Sequence, residues 1–140
     1  MAIILDADVI RGEKGVFDLS SWAESRPEDQ FEIAAITVAE LWHGVERATG
    51  PHKTKRERFL RTILELLPII PYTELTAFEH ARIWAALESS GKMIGPYDLI
   101  VAATALERGS VVATFNRRHF VLIPGLRVIV PKYRSKEHSV

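Results

Sequence analysis

The segment ILDADVI, residues 4–10, begins as an apolar run and places two aspartates, Asp6 and Asp8, where that run stops. In a protein built of alternating strands and helices, the carboxyl end of a buried strand borders the crevice that receives ligands. A carboxylate in that position must be paired, hydrated or metal-bound to offset its lost hydration. Asp6 is therefore a candidate functional residue, whereas Asp8 could equally be a turn or cap residue.

Around this segment, short apolar runs alternate with longer amphipathic runs. Strands are predicted at residues 2–5 and in FEIAAI, PIIPY, SVVAT and LRVIV. Helices are predicted in VFDLSSWAE, TVAELWHGVERA, the charged segment from His52 to Leu67, TELTAFEHARIWAALESSG and GPYDLIVAATALERG. Core positions in the fourth of these helices are predicted to be Leu75, Phe78, Ile83 and Leu87. The alternation predicts one α/β domain, with a central parallel sheet of about five strands flanked by helices on both faces.

Length and composition restrict the class of protein. A chain of 140 residues has the usual size of a single domain. The absence of cysteine excludes disulfides, thiolate zinc sites and cysteine nucleophiles. The first apolar run is too short for a signal peptide or a membrane span, so we expect a cytoplasmic protein without a membrane. Lys+Arg and Asp+Glu both number 18, so any contact with a polyanion must depend on local patches.

Two further acids, Glu40 and Asp98, fall in the first turns of predicted helices. Helices that follow parallel strands begin at the same crevice, so both acids could join Asp6 there. Each also has a purely structural explanation. Thr37 and Glu40 have the spacing of a capping box, and an acid in a first helical turn, such as Asp98, is favoured by the helix dipole. Both alternatives remain open for each residue.

Five segments, in this order and across nearly the whole chain, resemble the PIN-domain ribonucleases, and most of all the VapC toxins of bacterial and archaeal toxin–antitoxin pairs. They are ILDADVI, ITVAELWHGVERA, GPYDLIVAATALERG, VVATFNRRHF and PGLRVI. The resemblance implies a PIN-like nuclease domain over residues 1–132 and a polar tail over residues 133–140. It also implies hydrolysis of RNA by a magnesium or manganese ion held by Asp6, Glu40 and Asp98, an antitoxin partner and a homodimer.

The chain departs from this family's usual pattern at three positions. Asp8 stands where members usually have asparagine, Asn116 where many have a fourth acid, and His119 where an acid often precedes the aromatic residue. We expect Asn116 to complete the catalytic set through its amide or a water, with Asp8 in a supporting role. Thr114 could orient that water, although it could equally be a residue that simply favours the strand end.

Arg117 and Arg118 are the predicted RNA contacts, because they directly follow Asn116. The basic run HKTKRERFLR, residues 52–61, is better interpreted as a solvated helix face, since Glu57 interrupts its charge. Base stacking is possible for some aromatic residues, but at helical spacing they are more often core or dimer interface. These residues are Trp42, Trp84, Phe78 and Tyr97.

Two other functions fit parts of the pattern. Haloacid-dehalogenase phosphotransferases also begin with a strand followed by Asp-x-Asp, which would make Asp6 a nucleophile and Asp8 an acid/base. That class also needs a later acidic pair, for which the chain offers no convincing candidate. A PIN-fold RNA-binding or regulatory domain with weakened catalysis is the non-enzymatic alternative, and Asn116 in place of an acid is what suggests it.

Overall fold

Five parallel strands in the order β3-β2-β1-β4-β5 form the centre of the computed structural model. They are β1 (Ala2–Leu5), β2 (Gln30–Ala34), β3 (Ile69–Ile70), β4 (Val111–Ala113) and β5 (Val128–Ile129). The structure describes residues 1–12 and 17–132. Val16 of the predicted VFDLSSWAE helix and the tail predicted at 133–140 lie outside these residues. The predicted parallel sheet of about five strands is thus confirmed, with proline-flanked β3 at an edge.

Seven helices occupy the described ranges. They are α1 (Ala7–Arg11), α2 (Leu19–Glu24), α3 (Ala35–Arg47), α4 (Gly50–Leu66), α5 (Glu74–Ser89), α6 (Pro96–Arg108) and α7 (Arg117–Phe120). The predicted limits of α6 are correct, because Pro96 begins the helix and Gly109 ends it in a left-handed conformation. Within these ranges, none of the helices combines the length and apolar character that crossing a membrane requires.

Both faces of the sheet are covered, because side chains alternate along each strand. On β1, Ile3 and Leu5 face one cluster of buried side chains, which also contains Leu41 of α3 and Leu60 of α4. Ile4 faces the opposite cluster, which is built mainly from α5, α6 and α7. The central strands are therefore buried between two layers of helices.

The start of α3 differs from the sequence prediction. The strand β2 passes directly into the helix, with Ala34 at the N-cap and no side chain bonding there. Thr37 therefore lies inside the helix, and Glu40 lies in its second turn. Both the first-turn position predicted for Glu40 and its alternative role in a capping box are wrong. Gly50 and Pro51 were predicted to stop this helix, but α3 already ends at Arg47 and these two residues begin α4.

Other corrections concern exposure and two short helices. Ile83 and Leu87 are buried as predicted, but Leu75 and Phe78 are 60% and 61% exposed. Neither belongs to a cluster of buried side chains, so their prediction as core residues is wrong. The sequence reading assigned no helix after Asp6 or after Asn116, whereas α1 and α7 begin at these points.

Candidate active site

The floor of the candidate site lies where the central strands β1 and β4 end. Asp6 follows β1 and caps α1, with Oδ1 accepting a hydrogen bond from the Ala7 amide at 2.9 Å. Thr114 follows β4, and its hydroxyl donates to Oδ2 of Asp6 at 2.8 Å. Leu5 pairs with Ala113 across the two strands, so this adjacency follows from the sheet register. Thr114 therefore positions the Asp6 carboxylate.

Asp8 belongs to the same cluster. Its Oδ2 accepts hydrogen bonds from the Phe115 amide at 3.2 Å and from the Thr114 hydroxyl at 3.4 Å. Burial, and next the charge of Asp6, raise the pKa of Asp8 to about 6. Burial also raises the pKa of Asp6, although the hydrogen bonds from Thr114 and Ala7 oppose this increase. Both carboxylates are therefore held in a pocket that disfavours their charged forms.

Glu40 and Asp98 reach this pocket from α3 and α6. Burial, and next the charges of Asp6 and Asp98, raise the pKa of Glu40 to about 7. Burial, and next the charge of Asp6, raise the pKa of Asp98. Because each acid senses the charge of Asp6, the acids from three distant segments share one electrostatic environment. Glu40 and Asp98 thus interact electrostatically with Asp6, whereas their joint role in binding a metal stays a prediction.

Asn116 stands at the edge of the cluster, in front of α7. Its backbone amide donates to Oγ1 of Thr114 at 2.9 Å. Its side-chain amide lies 2.7 Å from Nδ1 of His119, and the same ring nitrogen lies 3.8 Å from Oδ2 of Asp98. Arg117 and Arg118 follow as exposed residues beside the pocket.

Arg11 is a residue near the site that the sequence reading missed. It ends α1, and its positive charge lowers the pKa values of Asp6 and Glu40 against the stronger effect of burial. It also lines a cavity of about 310 Å³ together with Arg56 and Phe59. The sequence did contain an indication of this role. Arg11 lies three residues after Asp8, so the two side chains share one face if this segment is a helix.

Carboxylate oxygens dominate the donor set of the pocket. Within residues 1–12 and 17–132, no three acidic or histidine side chains already stand in a metal-ligating arrangement. In the same ranges, Oδ1 of Asp8 and Oε1 of Glu40 are buried without a hydrogen-bond partner. Such orphaned oxygens are costly unless something positive or a water satisfies them. The donor chemistry fits magnesium or manganese, ions that bind oxygen and commonly retain several waters.

The sequence profile of the PIN domain matches residues 3–125. The tRNA(fMet)-specific endonuclease VapC of Salmonella typhimurium is 34% identical over 96 residues, which cover 69% of this chain and 71% of that protein. Ribonuclease VapC1 of Rickettsia felis is 30% identical over 131 residues, or 92% of this chain and 96% of that protein. The crystal structure of DNA-bound VapBC from Salmonella typhimurium superposes with a TM-score of 0.81 at 26% identity, covering 93% of this chain and 98% of that one.

Proposed function

This chain belongs to the PIN domain family, and from that premise we propose that it is a metal-dependent endoribonuclease that acts as the toxin of a toxin–antitoxin pair. The observation that carries the proposal is the cluster of Asp6, Glu40 and Asp98, whose pKa values are raised by burial and, for Glu40 and Asp98, next by the charge of Asp6. The two relatives described above are named as an endonuclease and a ribonuclease, and they align with most of the chain. The fold, the family and the pocket therefore support one activity.

Asp6 and Asp98 are the proposed main ligands of magnesium or manganese, with Glu40 binding through a water. Asp6 suits this role because Thr114 and the Ala7 amide fix both of its oxygens. When bound, the ion offsets the repulsion among the acids and the phosphodiester and lowers the pKa of a bound water. Asp8 and Asn116 are supporting members of the site, since each is joined to Thr114 by a hydrogen bond.

Glu40 is the proposed general base. Glu40 lies close enough to Asp6 and Asp98 for their charges to act on it, so it is placed beside the proposed ligands of the ion. Its buried Oε1 has no partner among the described residues and is free to receive a proton from water. Hydrolysis by water would leave a 5′-phosphate and a 3′-hydroxyl on the RNA fragments.

Arg117 and Arg118 are the proposed contacts to the RNA backbone, because they are exposed and directly follow Asn116. A cognate antitoxin is the proposed protein partner, as expected for a toxin of this family. We further propose that the protein is a cytoplasmic homodimer, and the exposed Phe78 and Trp84 on α5 offer apolar surface for such contacts. The phosphotransferase alternative is not proposed, because that class needs a later acidic pair for which the chain offers no convincing candidate.

The test is cleavage of end-labelled RNA by purified protein in Mn²⁺, in Mg²⁺ and in excess EDTA. The Salmonella relative is named for tRNA(fMet), so this RNA is the first substrate to use. We expect Asp6→Asn and Asp98→Asn to reduce cleavage on the order of 100-fold or more. Asp18→Asn is the matched control, because Asp18 caps α2 and asparagine caps equally well.

Cleavage that persists in EDTA, or full cleavage by Asp6→Asn, would contradict the proposal. If the wild type binds Mn²⁺ and RNA but cleaves neither tRNA(fMet) nor total RNA, the weakened RNA-binding domain becomes the better account.

A further inference from the structure

The contact between Asn116 and His119 fixes the roles of both side chains. The amide nitrogen of Asn116 lies 2.7 Å from Nδ1 of His119, which is hydrogen-bonding distance. An amide NH₂ group can only donate, so Nδ1 must accept and therefore carries no proton. The ring proton of a neutral His119 then resides on Nε2.

The His119 ring also lies near Asp98, where burial raises the pKa of the carboxyl and the ring lowers it in part. The distance of 3.8 Å between Nδ1 and Oδ2 of Asp98 is too long for a hydrogen bond. The lone pair of Nδ1 is also directed at the Asn116 amide. His119 therefore contacts Asn116 more closely than it contacts Asp98.

The backbone of Asn116 is held by its own hydrogen bonds, so the orientation of its side-chain amide must be determined separately. The Asn116 amide N–H donates to Thr114, and its carbonyl accepts from the His119 N–H at 3.2 Å. These contacts fix the main chain at the start of α7. The orientation of the side-chain amide then depends on its contact with His119.

We propose that His119 is a positioning residue that anchors the NH₂ group of Asn116 and thereby presents the carbonyl oxygen of Asn116 to the acidic pocket. The inference rests on the proposed function, because it assigns that oxygen to the metal-binding set. The carbonyl oxygen of Asn116, held by His119, then serves as a neutral ligand where many members of the family have a fourth acid. His119 acts only through Asn116, so its effect disappears when Asn116 is absent.

The first test observes the ring directly. Long-range ¹H–¹⁵N correlation spectra of the metal-free protein at about pH 8 report which ring nitrogen of a neutral histidine carries the proton. We expect the Nε2–H form for His119 in the wild type, and a mixture of both forms in Asn116→Ala. An Nδ1–H form in the wild type would overturn the proposal, because His119 would then turn the carbonyl oxygen away from the pocket.

The second test is a double-mutant cycle on Mn²⁺ affinity, measured by calorimetry. We expect His119→Ala and Asn116→Ala each to weaken binding about 10-fold, as loss of an outer-sphere contact commonly does. The double variant should bind no more weakly than Asn116→Ala alone. His119→Gln, which keeps a side-chain acceptor, should retain most of the wild-type affinity. The proposal would be contradicted if the losses of Mn²⁺ affinity in the two single variants added up in the double variant, or if His119→Gln bound Mn²⁺ as weakly as His119→Ala. Either result would show that His119 does not act through Asn116.

The Asp6→Asn variant distinguishes failure of the positioning role from failure of the proposed metal site. If this variant loses Mn²⁺ binding while His119→Ala binds like the wild type, the positioning role is wrong and the metal site stands. If Asp6→Asn binds Mn²⁺ as well as the wild type does, the proposed function is wrong, and with it the assignment of the Asn116 oxygen to a metal site.

Discussion

At the scale of the residue, the candidate site consists of acids whose surroundings oppose their charges. Burial raises the pKa values of Asp6, Asp8, Glu40 and Asp98, and the charge of Asp6 adds to the effect on the other three. The strand end pointed to Asp6 and Asp8, whereas Glu40 and Asp98 were assigned through the family resemblance. The sequence could not predict that Asn116 bonds to His119, because this contact depends on the turn of α7 and on two rotamers.

The raised pKa of Glu40 makes metal-free stability depend on pH. Its folded value of about 7 exceeds the roughly 4.3 of an unfolded chain, so between these values the folded protein retains a proton that the unfolded chain releases. This contribution to stability is fully present below about pH 4 and is lost as the pH rises through about 7. We predict that Glu40→Gln, which cannot ionise, gains a few degrees in melting temperature relative to the wild type between about pH 5 and pH 8.

Thermal melts of both proteins in EDTA across this range provide the measurement. The wild-type melting temperature is subtracted from that of the variant at each pH. This subtraction cancels the contribution of His80, whose pKa is lowered by burial and which therefore changes stability with pH in the opposite direction to Glu40. A difference in melting temperature that stays constant or shrinks as the pH rises would show that Glu40 is not held in the acidic pocket.

At the scale of the element, helix ends were predictable where local chemistry sets them. Pro96 and Gly109 bound α6 as expected, since proline suits the first turn and glycine adopts the left-handed conformation that ends a helix. The start of α3 was not predictable, because no capping side chain marks it and pairing of β2 in the sheet decides where the strand stops. Thr37 resembled a cap in sequence and instead became a buried residue of the helix.

Two basic elements, α7 and α4, compete as the surface that contacts RNA. We predict that replacing Arg117 and Arg118 with alanine weakens RNA binding and flattens its salt dependence more than replacing Lys53 and Lys55. Only the first pair adjoins the pocket, so only that pair is placed to contact the phosphates that flank the cleaved bond. Filter binding over a salt series measures both effects, and the reverse ranking would make α4 the RNA-binding surface.

An ion pair between a buried carboxylate and an exposed arginine ties α6 to the sheet on the side away from the acids. Glu32 of β2 is 5% exposed and pairs with Arg108 at the end of α6, while Ser110 donates to it at 3.3 Å. We predict that Arg108→Met leaves this carboxylate without its charged partner, at a cost on the order of 1–3 kcal/mol. The melting temperature should fall by several degrees while RNA cleavage per folded molecule stays unchanged.

The control is Arg82→Met, which removes an exposed pair with Glu79 on α5 and should change stability little. Equal effects of the two substitutions would show that the Glu32 pair contributes no more than a surface contact.

At the scale of the whole molecule, topology assembles the site. The order β3-β2-β1-β4-β5 places β1 at the centre, so the acid that follows it is flanked by the ends of β2 and β4. The alternation of strands and helices was enough to predict a parallel sheet. It did not give the strand order, and it did not predict that Leu75 and Phe78 face outward, because amphipathic spacing alone does not say which apolar side of α5 packs against α6.

The most direct test of a single shared pocket is the melting temperature of Asp98→Asn compared with the wild type, in EDTA and in millimolar Mn²⁺. Removing one of the repelling charges should raise the metal-free melting temperature, by a few degrees if the relief is on the order of 1 kcal/mol. Because an ion that binds only the native state stabilises it, Mn²⁺ should raise the melting temperature of the wild type and do so less for Asp98→Asn. If Asp98 serves only the start of α6, the substitution should instead lower the metal-free melting temperature and leave the response to Mn²⁺ intact. That second result would contradict a metal site shared by Asp6, Glu40 and Asp98.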